Sequence, residues 1–128
     1  MDTQVGHLCR TVISVNMHAS VQSILDNTSW NNISSIVVLD DDKKVFGIIT
    51  ENDLLHARAS GPHLKELNAA DICSRRIIKI SPEDSIIGAA RLMVDKNVHH
   101  VLIMVGDYVE GIISTLDVLK QILDSKKH

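Results

Sequence analysis

Two stretches of this chain follow the same nine-residue pattern. Residues 47–55 read Gly-Ile-Ile-Thr-Glu-Asn-Asp-Leu-Leu, and residues 111–119 read Gly-Ile-Ile-Ser-Thr-Leu-Asp-Val-Leu. The paired isoleucines suit the end of a buried strand, the hydroxyl residue suits a helix N-cap, and the Asp three positions later suits the acid of a capping box. A hydroxyl, a carboxylate and free backbone N–H groups therefore converge at one place. The chain builds this place twice, which predicts the two halves of a small-molecule binding module.

The resemblance between the two copies extends well beyond these stretches. Ser20 and Ser85 are separated by 85 − 20 = 65 positions, and Gly47 and Gly111 by 111 − 47 = 64 positions. The loss of one residue in a turn explains the change of spacing. Because this period is longer than that of most solenoid repeats, it indicates the duplication of a small α+β unit.

Each copy is predicted to contain, in order, a strand, a helix, two strands and a helix. Residues 1–11 are predicted to be a polar lead-in. In the first copy we expect strands at 12–15, 33–39 and 45–49, with a helix from Ser20 to Asn31-Asn32 and another over 51–59. In the second we expect a short helix over 64–73, strands at 77–80, 101–105 and 109–113, a helix N-capped by Ser81 with Pro82 at N1 and closed by Asn97, and a last helix over 117–125.

The predicted fold class is therefore α/β (α+β), with two βαββα repeats. Neither repeat alone would bury enough apolar surface to be stable, so we expect them to pack sheet to sheet with pseudo-two-fold symmetry. The predicted boundaries are 8–59 for the first repeat, 60–70 for a linker that includes the Ser60-Gly61-Pro62 break, and 71–125 for the second repeat.

Composition excludes several classes of function. Of the 128 residues 45% are apolar but only 2% aromatic, so the core must be aliphatic and stacking platforms for nucleic acid are nearly absent. The net charge of −3 also argues against a phosphate-backbone binder. The sequence contains no apolar run long enough for a membrane span and no signal-peptide core, which predicts a cytoplasmic protein without a membrane partner.

The two cysteines, Cys9 and Cys73, fit a reducing cytoplasm. A disulfide between them is the less favoured alternative on the same grounds. Arg75 and Arg76 lie close to Cys73 in sequence and would lower its pKa, whereas an inert structural thiol is the simpler interpretation. The seven histidines show no metal-ligand spacing, and no nucleophile motif is present, so neither a metal site nor an enzyme is predicted.

With these residues in place, the chain resembles the CBS-domain family, in the tandem pair often called a Bateman module. The resemblance covers about residues 8–123 and is carried mainly by Gly47–Asp53 and Gly111–Asp117, with Asp71-Ile72-Cys73 and Ser81-Pro82 similar to the usual start of a repeat. It implies regulation without catalysis, with adenosine-containing ligands bound in clefts between the repeats. AMP or ATP is the leading candidate, with ADP, NAD and S-adenosylmethionine as others, and no obligatory cofactor.

The resemblance also implies which residues contact the ligand. Asp53 and Asp117 would accept hydrogen bonds from ribose hydroxyls, and Thr50 and Ser114 would lie near phosphates. The implied clefts cross the repeats. The first comprises Thr50, Asn52, Asp53, Ile78, Ile80, Ser81, His99 and His100, and the second comprises Ile13, Ser14, Val15, Ser34, Ser35, Ile112, Ser114 and Asp117. The family further implies a homodimer formed through the helices, and a separate effector protein as the partner that receives the signal.

Two simpler interpretations remain open from the residues alone. The pairs Thr50/Asp53 and Ser114/Asp117 are also what a capping box requires, and a cap and a ribose contact are compatible with each other. The alternative for the module as a whole is a ligand-free structural role in dimerisation and protein–protein interaction.

Overall fold

The structure is a computed structural model that describes residues 3–8, 12–27 and 35–125. Its strands are β1 (Ser14–Asn16), β2 (Ser35–Leu39), β3 (Val45–Thr50), β4 (Lys79–Ile80), β5 (His100–Val105) and β6 (Tyr108–Ser114). Its α-helices are α1 (Val21–Asn27), α2 (Glu51–Arg58), α3 (Ala69–Ile72), α4 (Ile86–Lys96) and α5 (Thr115–Ser125). Short 3-10 helices cover Val5–Leu8 and Gly61–Glu66.

The chain divides into two compact units of the same topology. One unit is Ile13–Ile77, and the other combines Met1–Val12 with Ile78–His128. In the first, β1 pairs parallel and β3 antiparallel with the central β2; in the second, β4 and β6 flank β5 in the same way. Both antiparallel pairs shift register at equivalent points, between Val38 and Leu39 and between Ile103 and Met104. The predicted mixed α/β class with two βαββα repeats is confirmed.

Each unit has its own aliphatic core. Alternate residues of the central strand face this core, because successive side chains of a strand point to opposite faces of the sheet. In the first unit the buried core residues are Val21, Ile24, Ile36, Val38, Ile49, Leu54, Ala57 and Ala69. In the second unit they are Val5, Ile80, Ile86, Ala89, Met93, Val101, Ile103, Ile113 and Val118.

The N-terminal segment is part of the second unit, so the prediction of a polar lead-in over residues 1–11 was wrong for its described part. Val5 is fully buried in that unit's core. Its N–H donates to the carbonyl of Asp84 at 2.8 Å, and the Gly6 N–H donates to the carbonyl of Pro82 at 3.1 Å. The Ile86 N–H donates in turn to the carbonyl of Thr3 at 3.0 Å. A single buried valine and three backbone hydrogen bonds, none visible as a periodic pattern, hold this segment in place.

The segment before the second repeat packs into the first unit in the same way, through backbone hydrogen bonds and one buried residue. The Val21 N–H donates to the carbonyl of Leu67 at 2.9 Å, and the Ala69 N–H donates to the carbonyl of Ala19 at 2.8 Å. Ala69 is fully buried and lies 69 − 5 = 64 positions after Val5. The stretch that precedes each repeat in the chain therefore completes the unit formed by the other repeat.

This docking also explains why the single helix predicted over 64–73 is wrong. The 3-10 helix ends at Glu66, Leu67 is extended with φ −89° and ψ 136°, and α3 begins at Ala69 after a new N-cap. The Asn68 N–H donates to Asp71 Oδ2 at 2.7 Å, which forms a capping box at this new start. Extended backbone at residue 67 is needed to bring its carbonyl to Val21.

In the second unit, the end of α4 agrees with the prediction, whereas the starts of α4 and α5 do not. Asn97 closes α4 in the left-handed conformation with φ 53°, as predicted. Helix α4 is, however, capped by Ser85 rather than Ser81, and α5 begins at Thr115 rather than at Asp117. The predicted end of the first helix at Asn31-Asn32 lies outside the described residues.

Candidate functional site

The start of α2 is a complete capping box. The Thr50 N–H donates to Asp53 Oδ2 at 2.8 Å, and the Asp53 N–H donates to Thr50 Oγ1 at 3.3 Å. Thr50 itself is extended, with φ −100° and ψ 167°, so the chain passes directly from β3 into the helix. The acid lies in the first turn, where the helix dipole favours a negative charge.

The start of α5 repeats this arrangement with one addition. The Ser114 N–H donates to Asp117 Oδ2 at 2.9 Å, and the Asp117 N–H donates to Ser114 Oγ at 3.2 Å. The Ser114 hydroxyl also lies 3.0 Å from Asp117 Oδ2. The Thr115 N–H donates to the carbonyl of His99 at 2.9 Å, which ties the helix start to the residue just before β5. The predicted capping boxes are thus confirmed at both sites.

The capping box leaves part of the first site available. Asp53 is half-buried and uses Oδ2 for its own N-cap. Within the ranges that the structure describes, Oδ1 of Asp53 makes no hydrogen bond. Asn52 is exposed beside it. An ionised carboxylate with a free oxygen at a helix N-terminus is chemically able to accept a hydroxyl donor from a ligand.

Strand register places one further polar residue beside each capped helix start. Ser35 lies directly opposite Thr50 in the β2–β3 pair, and His100 lies directly opposite Ser114 in the β5–β6 pair. Ser35 is only 7% exposed. Its hydroxyl has no hydrogen-bond partner in the described part of the chain. Ser34, which the family resemblance also implicates, lies outside that part.

The remaining predicted residues lie at the first strand of each unit. In the first unit, the Ile13 carbonyl accepts from the Val37 N–H at 2.9 Å, and the exposed Ser14 and the half-buried Val15 follow in β1. That these residues line a ligand site, as the resemblance implied, stays a prediction.

The second unit repeats this placement. The Ile78 carbonyl accepts from the Leu102 N–H at 2.9 Å, and the buried Ile80 ends β4. Ser81 follows with its N–H donated to Asp84 Oδ2 at 2.8 Å and its hydroxyl to the carboxylate of Glu83. That hydroxyl holds the pKa of Glu83 below its usual value.

The structure thus brings together the predicted residues of each repeat within its own unit. The first unit contains Ile13, Ser14, Val15, Ser35, Thr50, Asn52 and Asp53. The second unit contains Ile78, Ile80, Ser81, His99, His100, Ile112, Ser114 and Asp117. The crossed assignment pairs residues of different units and stays a prediction.

The second unit also contains an apolar cavity that the sequence reasoning did not identify. Its volume is about 430 Å³, and it lies between α4, α5 and the residues before β5. Its lining residues are Ala90, Met93, Val94, Asn97, Val98, His99, Thr115, Val118, Leu119 and Ile122. The signal for it in the sequence was the apolar series Val118, Leu119 and Ile122 on α5.

No metal-binding cluster of three or more His, Cys, Asp or Glu side chains occurs among the described residues. The acidic run at 40–42 lies in the turn between β2 and β3. Asp41 has its pKa lowered by the side-chain amide of Asn16 and then by His18, whose Nε2 lies 3.3 Å from Asp41 Oδ2. None of the helices between residues 3 and 125 that the structure describes combines the length and the apolar character needed to cross a membrane.

Two small α/β repeats, each passing from a buried strand into a helix capped by a hydroxyl residue and an Asp, define a tandem-repeat module. A family model of the CBS domain matches residues 5–60 and 69–124, which make up most of the chain. The chain therefore belongs to the CBS-domain family, as a tandem pair.

Solved structures with this fold include several CBS-domain proteins. An uncharacterized conserved protein from Pyrococcus horikoshii is 22% identical with a TM-score of 0.80, over 95% of this chain and 93% of that one. The CBS-domain containing protein ATU1752 from Agrobacterium tumefaciens is 26% identical with a TM-score of 0.78, over 94% and 93%. The CBS domain pair of protein MJ0100, in complex with 5′-methylthioadenosine and S-adenosyl-L-methionine, is 22% identical with a TM-score of 0.80, over 98% and 99%.

The curated relatives are longer proteins. Arabinose 5-phosphate isomerase KdsD from Salmonella typhimurium is 25% identical over 118 residues, which are 92% of this chain and 36% of that protein. The uncharacterized protein MJ1404 from Methanocaldococcus jannaschii is 29% identical over 142 positions, covering 98% of this chain and 33% of that protein. This chain therefore spans about a third of the length of these relatives.

Proposed function

We propose that this CBS pair is a non-catalytic regulatory module that binds an adenosyl-containing ligand and signals its presence to a partner protein. The observation that carries the proposal is the carboxylate placed at the start of a capped helix, once in each unit, as Asp53 and Asp117. The complex of the MJ0100 pair with two adenosyl compounds supports the ligand class. AMP, ADP, ATP, NAD and S-adenosylmethionine are the candidates, with AMP or ATP first and no obligatory cofactor.

The chemistry of the capped helix starts suits such a ligand. The free Oδ1 of Asp53 accepts a ribose hydroxyl in a charge-assisted hydrogen bond, which is the stronger class of hydrogen bond. An aliphatic strand residue outside the two core clusters, such as Ile112, provides apolar contact for an adenine, and backbone N–H groups at a helix start favour an anionic group. The free Cys73 thiol fits a reducing cytoplasm, where we place the module.

Signalling then follows from differential affinity. A bound ligand shifts the balance between two arrangements of the protein by no more than the difference in its affinity for them. An effector protein that binds one arrangement more tightly therefore changes its affinity for the module when the ligand binds.

The two sites are expected to differ in affinity. If the Asp53 site is completed by His99 and His100, as the family resemblance implies, their imidazole N–H groups can donate hydrogen bonds to a phosphate there. We therefore expect Asp53→Asn to weaken AMP binding more than Asp117→Asn, measured by isothermal titration calorimetry. Asn keeps an oxygen that accepts the N-cap hydrogen bond, so the comparison isolates the lost charge.

Asp71→Asn is the matched control, because Asp71 belongs to a third capping box, at α3, for which no ligand role is proposed. Its effect on binding should be negligible. Equal losses for Asp53→Asn and Asp117→Asn would contradict the crossed assignment, and equal losses for all three variants would contradict a ligand role for these carboxylates.

The second candidate function is a ligand-free structural module. The capping boxes favour this second function, because each carboxylate already accepts a hydrogen bond from the backbone of its own helix start. Titration with the five candidate ligands separates the two functions. An absence of heat and of any shift in melting temperature at millimolar ligand supports the structural module, whereas native mass spectrometry that finds a retained nucleotide supports the sensor.

The partner for dimerisation is proposed to be a second copy of the chain, bound through α4 and α5. Leu116, Leu119 and Leu123 are 58%, 50% and 62% exposed, and Val94 on α4 is 78% exposed. Leucines at i, i+3 and i+7 form the apolar stripe that a facing helix packs against, and an isologous contact buries the stripes of both copies at once.

We expect Leu119→Glu with Leu123→Glu to convert a dimer to a monomer in analytical ultracentrifugation. Leu55→Glu is the control, since Leu55 is similarly exposed (59%) but lies on α2. A monomeric wild-type protein, or a dimer lost only with the Leu55 variant, would contradict this interface.

A further inference from the structure

A helix cap is present at Ser81, although no helix begins directly after it. The Ser81 N–H donates to Asp84 Oδ2 at 2.8 Å, and the Glu83 N–H donates to Ser81 Oγ at 3.5 Å. The same hydrogen bond, from an N–H to the carboxylate of an Asp three positions later, is present at the starts of α2, α3 and α5. Helix α4 begins one turn later than this cap, because Ser85 is extended with φ −78° and ψ 155°. The chain therefore has the cap of a longer α4, but not the α-helical turn that such a cap would begin.

The N-terminal segment pairs with the backbone groups that this turn would use. Residues 3–6 hold the carbonyls of Pro82 and Asp84 and the N–H of Ile86 in hydrogen bonds of 2.8 to 3.1 Å. In an α-helix each N–H donates to the carbonyl four residues earlier. An α4 that began at Pro82 would pair the Ile86 N–H with the Pro82 carbonyl, and the Gly88 N–H with the Asp84 carbonyl. All three groups are therefore hydrogen-bonded in either arrangement.

The two arrangements differ in what else they gain. The observed one buries Val5 completely. The longer helix would give hydrogen bonds to the N–H groups of Ser85 and Ile87, which have no partner among the described residues. These groups would donate to the carbonyls of Ser81 and Glu83. The added turn would also have a proline at N1 and two acidic residues, which stabilise a helix start.

We infer that residues 3–6 and the first turn of α4 form a two-state switch. In one state the segment is docked and α4 begins after Ser85; in the other the segment is released and α4 begins after Ser81. A partner that binds the released segment favours the longer helix, by the difference in its affinity for the two states. This inference goes beyond the proposed function. It gives the regulatory module two arrangements, and it does not depend on whether a ligand binds.

Val5→Asp in the full chain tests the switch, because a carboxylate is too costly to bury in an apolar core and the segment should be released. Amide hydrogen exchange, resolved by residue with NMR, measures both ends of the switch. The Gly6 amide should exchange faster than in the wild-type protein, and the Ser85 and Ile87 amides should exchange slower by about 10-fold or more. Simple fraying of the segment gives the first change without the second. The control is Gln4→Ala, at the exposed neighbour of Val5, which should exchange like the wild-type protein.

Ser85→Ala tests the same switch without a change in the core, and it decides the matter if Val5→Asp does not fold. This variant removes the cap of the shorter helix and places a better helix former at position 85. The Gly6 amide should again exchange faster and the Ile87 amide slower than in the wild-type protein. Addition of Ser81→Ala, which removes the side-chain cap of the longer helix, should reverse both changes. Faster exchange at Gly6 without slower exchange at Ile87, or no change at either, would overturn the switch and leave the proposed function intact. Failure to bind AMP would count against the proposed function alone.

Discussion

Cys73 lies against the backbone of Gly47, at the point where the chain leaves the first unit. A Cβ atom at Gly47 would stand 2.6 Å from Cys73 Sγ and 2.7 Å from the carbonyl oxygen of Ser74. Ile48 and Ser74 exchange two backbone hydrogen bonds of 3.0 and 2.8 Å, which hold the two segments at this distance. Only glycine fits here, which gives the first residue of the pattern in the first copy a steric explanation.

This packing decides between the two interpretations of Cys73. Burial raises the pKa of the thiol above its ordinary value of 9.0, and the opposing effect of Arg75 is smaller. The Arg75 guanidinium instead lies 3.6 Å from the centroid of the Phe46 ring. The inert structural thiol is therefore the better description.

A raised pKa in the folded state has a consequence for stability. The neutral thiol stabilises the fold fully below about pH 9, the ordinary value, and this contribution is lost as the pH rises through the folded-state pKa. We expect the free energy of unfolding of the wild-type protein to fall more between pH 8 and pH 10 than that of Cys73→Ala, in urea titrations on a Cys9→Ser background. Parallel curves for the two proteins would contradict the burial of the thiol.

At the scale of elements, the start of α4 shows how a local signal is overridden. Ser81-Pro82-Glu83-Asp84 has the composition of a helix start, yet the helix begins after Ser85, whose Oγ accepts from the Gly88 N–H at 3.0 Å. The carbonyls of Pro82 and Asp84 accept hydrogen bonds from the N-terminal segment instead. A helix from Pro82 onward would turn these carbonyls along its own axis, so docking of residues 3–6 and an earlier helix start exclude each other.

Substitutions at the two serines should therefore have unequal effects on stability. Ser85→Ala removes the N-cap acceptor and should lower the free energy of unfolding by about 1 kcal/mol. Ser81→Ala, the control, should have a much smaller effect, since the hydrogen bonds between the Ser81 hydroxyl and Glu83 are exposed. Denaturant unfolding measures both; a larger loss at Ser81 would mean that the helix starts earlier in solution.

At the scale of the whole molecule, the defining feature is an exchange of segments. The first residues of each repeat pack into the compact unit that the other repeat mainly forms. Val5 and Ala69 are equivalent residues, and each is fully buried in the unit built mainly from the other repeat. The limits of the repeats in sequence therefore differ from the limits of the compact units in space.

Val5 provides a direct test of this exchange. Val5→Ala should lower the free energy of unfolding by about 1.5–3 kcal/mol, because it removes two buried methyl groups worth about 0.8 kcal/mol each and leaves a cavity. Gln4→Ala is the control, because Gln4 is the exposed neighbour of Val5 in the same segment. If chemical denaturation shows both variants to be as stable as the wild-type protein, the N-terminal segment is not part of the core.

The sequence by itself determined the features that depend on neighbours along the chain. Residues three positions apart form the capping boxes at Thr50 and Ser114, alternation and apolar runs define β2 and β5, and Asn97 tolerates the left-handed conformation that ends α4. The period of 64–65 residues then makes the second unit a copy of the first. All of these follow from local geometry, which a residue type and its spacing express directly.

Only the tertiary structure decided the features that join residues far apart in the chain. The burial of Val5, the close contact of Cys73 with Gly47, and the placement of the Ser35 hydroxyl opposite Thr50 leave no periodic trace in the sequence. Each depends on strand register or on the docking of a distant segment, which are fixed by the mutual exclusion of atoms in a close-packed interior. The spacing of residue types in the sequence does not predict these contacts, because the atoms involved come close to one another only in the folded chain.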